Sequence, residues 1–192
     1  DQVVKKIKTE KQILPFVTHD IMSNYNIFSK LKIKIKFISV YRSPVELVYS
    51  WIKRGLGTRL GTDPRIFTLV INKGNKSSPW YLNNLQKVWK KLNRYERCVY
   101  YVILLTNKSV KEQKRIKHKK ISFITSYDHI TENTIDELKK ISKFLKTKFS
   151  DKTYLFIKKE RQSYKYLKKE VKLKLDFIKK KIDKKIFDDL IS

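Results

Sequence analysis

The sequence predicts an α/β fold, a parallel sheet flanked by helices, with a helix-rich second half. Three observations predict it. An apolar segment, Ile33–Tyr41, runs straight into a helix-start signal at Ser43-Pro44-Val45-Glu46. Short apolar runs of strand length alternate with stretches of helical periodicity along the chain. All four glycines lie between positions 55 and 74 and the last proline is Pro79, so the second half holds no strong breaker.

Taken in order, Gln12-Ile-Leu-Pro-Phe-Val-Thr18 reads as a short strand. Ile33–Tyr41 begins with strict alternation and then becomes apolar, the pattern of a strand passing from an edge into a buried sheet. At Ser43 the period changes. Ser43 suits an N-cap, Pro44 the first helical position, and Glu46 completes a capping box. The helix carries Leu47, Val48, Trp51 and Ile52 and should end before Gly55. Residues 55–79 are polar and loop-rich, and a connection of that length usually lines a site or selects a substrate.

From Trp80 through Leu82, Leu85, Val88, Trp89 and Leu92 the spacing is helical. Cys98–Leu105 fits a second helix, and a buried strand is the other reading. Lys120–Thr125 is a short strand and Thr131–Lys148 a helix. In the tail, Tyr164, Leu167, Val171, Leu175, Ile178, Ile182, Ile186 and Leu190 form one amphipathic stripe with a lysine-rich outer face. A helix covering the sheet is the plain reading. RNA or membrane-surface binding through the lysines is the alternative.

Composition excludes several classes. The 192 residues suit one domain, and 41% apolar with 12% aromatic content is enough for a core. The longest apolar run, Cys98–Leu105, is far short of the roughly 18 residues of a membrane span. One cysteine, Cys98, excludes an internal disulfide framework, and His19, His118 and His129 lack metal-ligand spacing, so no metal is expected. The chain opens at Asp1 with a charged segment that has no apolar signal region, so a processed or truncated start is expected. Without a signal or membrane segment in this portion, a cytoplasmic location is expected.

The formal net charge of +28 points to an anionic partner: nucleic acid, an anionic glycan or a phosphate-rich cofactor. A compositional cause competes. The chain has no alanine and is rich in Lys, Ile, Asn, Tyr and Phe, the bias of an AT-rich genome.

The chemistry concentrates in Phe37–Trp51. Arg42 leaves the carboxyl end of a strand, where ligands bind in parallel α/β sheets. A helix N-terminus follows at once, and Ser50, seven residues after Ser43, lies close to two turns on, on the same face. A guanidinium, a hydroxyl and a helix start suit a phosphate. A salt-bridged arginine and an ordinary helical serine are the bland alternative.

This run resembles the 3′-phosphate-binding segment of sulfotransferases that use 3′-phosphoadenosine 5′-phosphosulfate (PAPS): an apolar strand, Arg-x-Pro, and Ser eight residues after the Arg. The resemblance implies that Arg42 and Ser50 hold the 3′-phosphate of PAPS. It implies that His19, at the end of Phe16-Val-Thr-His19, is the catalytic base, although many members have a Lys two residues earlier where Val17 stands. Others use an upstream Glu instead. Ile121–Ile130 resembles the family's strand ending in Tyr-Glu-Asp, with Tyr127 at the tyrosine that approaches the adenine. Here Asp128 replaces the usual Glu and His129 the usual Asp. The likeness extends over about residues 13–148.

The implied fold is a P-loop-NTPase-like sheet, incomplete at the N-terminus, because the loop that cradles the 5′-phosphosulfate would fall before Asp1. The late basic-glycine motif is also missing, and Lys158-Lys-Glu-Arg161 is only the nearest basic cluster. One domain is expected over 1–192. Its strands and 3′-phosphate helix would lie in 1–54, a substrate loop in 55–79, and helices with one strand near 120–126 in 80–192. The implied activity is transfer of a sulfuryl group from PAPS to a hydroxyl or amine, with the fragment alone expected to be weak or inactive. Arg54, Arg59 and Arg65 would favour an acidic acceptor such as a glycan. A basic module binding RNA or other polyanions without catalysis is the alternative.

Overall fold

The computed structural model describes residues 15, 17, 22–30, 34–58, 70–73, 76–80, 82, 86–116, 120–160 and 168–191. In chain order, a 3-10 turn (Met22–Asn24) leads into helix α1 (Tyr25–Ser29), strand β1 (Phe37–Tyr41) and helix α2 (Pro44–Lys53). Strands β2 (Val70–Lys73) and β3 (Lys76–Pro79) precede helices α3 (Gln86–Lys91) and α4 (Arg94–Ile116). Strand β4 (Ser122–Ser126) is followed by α5 (Tyr127–Glu132), α6 (Thr134–Leu145), α7 (Asp151–Glu160), α8 (Lys168–Lys179) and α9 (Lys184–Ile191).

Helix α4 organises the core, and its start is set by its own first residues. Asn93 Oδ1 accepts the N–H groups of Tyr95 and Glu96 at 2.8 and 3.0 Å, while Glu96 Oε2 accepts the Asn93 N–H at 2.8 Å. This reciprocal cap separates α3 from α4 without a glycine or proline. Val48 and Trp51 of α2 pack on Cys98, Val99, Tyr101, Val102 and Leu105 of α4, and Ile178 with Ile186, Phe187 and Leu190 closes over them from α8 and α9. The Tyr101 ring meets Trp51 and Trp89 edge-on, with centroids 5.9 and 5.3 Å away. A smaller cluster of Met22, Tyr25, Phe37 and Ile116 ties β1 to the far end of α4.

Among the described residues, β1 and β4 form a two-stranded parallel sheet, from Phe37↔Ser122 to Tyr41↔Ser126, and β2 and β3 a separate antiparallel pair. The molecule is therefore helix-rich, with a small parallel sheet flanked by helices; a full P-loop-like sheet is not present among these residues. Strand β1 begins at Phe37, later than the alternation suggested. Its Ile38 and Val40, with Ile124 of β4, lie on an exposed face. The expected burial fails because the helical core packs against α2 rather than across both faces of the sheet.

Other elements differ from expectation for local reasons. The 55–79 segment includes β2 and β3 rather than only loop. Trp80 and Leu82, expected in the helix that carries Trp89, are in 3-10 conformation, and α3 is described over Gln86–Lys91. The helix expected over 131–148 starts at Tyr127 and breaks at Asn133, whose φ of −119° and ψ of 44° leave the helical region. Ser126 caps the first piece by accepting the His129 N–H at 3.1 Å. The tail stripe is broken too. Asn93 Nδ2 donates to the Lys181 carbonyl (3.2 Å), Glu96 Oε1 accepts the Asp183 N–H (3.1 Å), and Asp183 Oδ1 accepts the Lys185 N–H (2.9 Å). Residues at the start of α4 thus capture the backbone of 181–183, and α9 begins afresh behind its own Asp183 cap. The expected Gln12–Thr18 strand lies outside the described residues apart from Pro15 and Val17, which are not in strand.

Candidate functional site

Parallel pairing in register brings the two strand ends to one rim, because Tyr41 lies opposite Ser126. The next residue of each chain segment is then Arg42 and Tyr127. The Arg42 guanidinium lies over the Tyr127 ring, 4.9 Å from its centroid, in a cation–π contact. From that rim α2 runs away from the sheet, and one of its faces lines a pocket of about 370 Å3. Arg42, Glu46, Tyr49, Ser50, Lys53 and Arg54 line it from this segment. These positions recur at three- and four-residue spacing, which is why they share a face. Lys174 of α8 completes the wall.

Four cationic side chains and one carboxylate therefore line the same pocket. Glu46 is paired twice: Arg42 Nη2 donates to Oε2 at 3.2 Å and Lys174 Nζ donates to Oε1 at 2.7 Å. The role expected of Glu46 in a capping box is not seen. Ser43 makes no side-chain cap hydrogen bond, and its carbonyl accepts the Leu47 N–H at 3.0 Å. A carboxylate buried to 5% exposure needs full cationic partners more than a backbone donor, and two are in reach. Ser43, Pro44 and Val45 are not in the pocket lining, so side chains rather than the helix start give this pocket its positive potential.

Of the residues singled out in the sequence, Arg42 and Ser50 line this pocket and Tyr127 stacks on Arg42. His19 lies outside the described residues, as do Arg59, Arg65 and Arg161. Arg54, expected beside an acceptor, lines the same pocket as Arg42. His129 is exposed at the start of α5, with its backbone N–H spent on Ser126.

Residues 1–190 match the family model of the sulfotransferase domain. The chain belongs to the sulfotransferase family. No curated protein and no solved structure matches it. Membership supports sulfuryl transfer as the general activity, in a family that generally uses PAPS.

Within this sulfotransferase, a second pocket of about 350 Å3 adjoins the first through Lys53, with Gly55, Gly57, Arg94, Tyr95 and Phe177 among its walls. Cys98 also reaches it, but burial pushes its thiol up to about 12, a backbone hydrogen bond involving Gly57 offsetting this only in part. The thiol is therefore protonated and a poor nucleophile. Among the described residues, no group of three His, Cys, Asp or Glu side chains is arranged to hold a metal ion, and no helix is long and apolar enough to cross a membrane.

Sequence reasoning missed Glu46 as a charge partner and Lys174 altogether. Glu46 carried a signal, since it stands four residues after Arg42, the spacing of a helical ion pair. Lys174 carried none, being one of many lysines on the outer face of a tail helix.

Proposed function

We propose that this protein is a PAPS-dependent sulfotransferase in which Arg42 and Ser50 hold the 3′-phosphate of the nucleotide and Tyr127 packs against its adenine. The observation that carries this reading is the shared pocket: Arg42 and Ser50, the residues matched by the family motif, open into one cationic cavity, and Tyr127 stacks on Arg42. The residues fit the group. A phosphate dianion takes several charge-assisted donors, and a guanidinium, a hydroxyl and neighbouring ammonium groups provide them. The adenosine 3′-phosphate anchors the donor, and the sulfuryl group is the part transferred.

In the reaction proposed, an acceptor hydroxyl or amine attacks sulfur in line. The bond from sulfur to the bridging phosphate oxygen breaks, and adenosine 3′,5′-bisphosphate leaves. His19 takes the acceptor's proton. Catalysis rests on positioning and on stabilising the leaving phosphate. A P-loop-like sheet around the donor belongs to the same proposal. So does recognition of an acidic acceptor such as a glycan by the basic 55–79 segment.

Sulfuryl transfer from labelled PAPS to a panel of hydroxyl and amine acceptors tests this. Transfer that falls about 10-fold to 100-fold in Arg42→Ala, the worth of hydrogen bonds to a charged group, is the expected result. Transfer that persists undiminished in that variant would overturn the assignment of Arg42. Binding of many polyanions with no transfer at all would favour the simple basic module.

A further inference from the structure

Glu46 is a carboxylate in the wall of a pocket whose other charges are positive. Such a group is out of place in an anion site by charge alone, yet it makes two ion pairs there. Oε2 accepts from Arg42 and Oε1 from Lys174, so one carboxylate holds a cation on either side. Lys174 arrives from 128 positions further along the chain, on α8. Its side chain is only 16% exposed, its ammonium lies 3.7 Å from Glu170, and the Tyr49 ring centroid is 5.7 Å away. The long, flexible lysine is thereby fixed before any ligand arrives.

We propose that Lys174 is a direct ligand of the anionic group bound in this pocket, and that Glu46 is the positioning residue that aims Lys174 and Arg42 across it. The inference rests on the pocket being the phosphate site proposed above. Two arguments carry it. Arg42, Lys174 and the Glu46 between them carry a net charge of +1 beside Ser50, and without the Lys174 ammonium that cluster would offer a dianion no net charge. Ordering two long side chains in advance also removes much of the entropic cost of binding. A consequence is that helix α8 belongs to the nucleotide site.

Positioning and charge counting make opposite forecasts for Glu46. Removing a negative charge from a cationic pocket should tighten anion binding if only the field matters. If Glu46 positions the cations, Glu46→Gln should weaken it.

The test is calorimetry on the full chain with adenosine 3′,5′-bisphosphate and adenosine 5′-phosphate at one fixed salt concentration, with thermal melting as the check on folding. Lys174→Gln keeps a donor for Glu46 and loses the charge. It should lose about tenfold in affinity for the bisphosphate, the value of one charge-assisted contact, and Lys174→Arg should restore most of it. Glu46→Gln should also bind the bisphosphate more weakly. Unchanged affinity in a folded Lys174→Gln protein would remove Lys174 from the site, and equal or tighter binding by Glu46→Gln would remove its positioning role. If Lys174→Gln does not fold, Lys174→Arg decides: bisphosphate affinity within a few-fold of wild type supports a cationic ligand, and its abolition in a folded protein overturns it. A wild-type chain that does not distinguish the two nucleotides sinks the phosphate-site reading itself, a separate outcome from failure of the Lys174 inference.

Discussion

Arg42 takes its place from three constraints at once: the end of β1, the first turn of α2, and the aromatic ring of Tyr127 beneath it. Cys98, in the wall of the second pocket, shows the opposite kind of control. Its thiol donates to the Arg94 carbonyl at 3.5 Å and is buried in the helical core. With the thiol pushed up to about 12, little thiolate forms near neutral pH. We therefore expect Cys98 to react with iodoacetamide only on unfolding, with mass spectrometry showing no adduct on the native protein over the time that labels a free thiol fully. Rapid native labelling would contradict the burial. At this scale the sequence was legible where function is local. Arg42, Ser50 and Tyr127 each sit beside a strand end or within the next turns, so local pattern together with the family resemblance singled them out. Lys174 meets Glu46 only through the packing of α8 on α2, and no local pattern encodes that contact.

The turn that ends α2 is an element held by close approach. Gly55 has a φ of +66°, where a side chain is strained, and it closes the helix with its N–H on the Ile52 carbonyl. Gly57 is needed for space: a Cβ there would lie 1.8 Å from the Arg94 carbonyl oxygen, so α2's exit and α4's start pack backbone against backbone. Gly57→Ala should destabilise the protein by about 1–3 kcal/mol, the cost of overpacking a tight site, read as a lower denaturation midpoint. An unchanged midpoint would show that the turn moves aside freely. The elements were legible where a pattern met an end signal, as for α2, whereas Cys98–Leu105, with no marked start, left helix and strand both open and α4 runs well beyond it, over Arg94–Ile116. The tail failed for a tertiary reason. Its apolar stripe continues across 181–183, but Asn93 and Glu96 of the α4 cap bind that backbone and break the helix there. The break at Asn133 likewise depends on one residue's dihedral angles, which periodicity does not reveal.

The molecule as a whole carries a formal net charge of +28 on 192 residues, an excess of Lys and Arg that remains after every Asp and Glu is counted against them. Mutual repulsion should therefore cost stability at low ionic strength. Raising salt from about 0.02 M to about 0.3 M shortens the screening length several-fold, and the melting temperature should rise with it. A flat or falling melting temperature would mean that the surface charges are locally compensated. The net charge was plain in the sequence, but its meaning was not. A lysine-rich surface reads the same whether it follows from codon bias or from a polyanionic partner, whereas the pocket on α2 concentrates four cations on one cavity. The most direct measurement is therefore nucleotide discrimination by the unmodified chain. Titration calorimetry with adenosine 3′,5′-bisphosphate and adenosine 5′-phosphate should show binding at least about tenfold tighter for the nucleotide with the 3′-phosphate, the worth of one charged contact or more. Equal heats and equal affinities for the two would contradict the account at its centre.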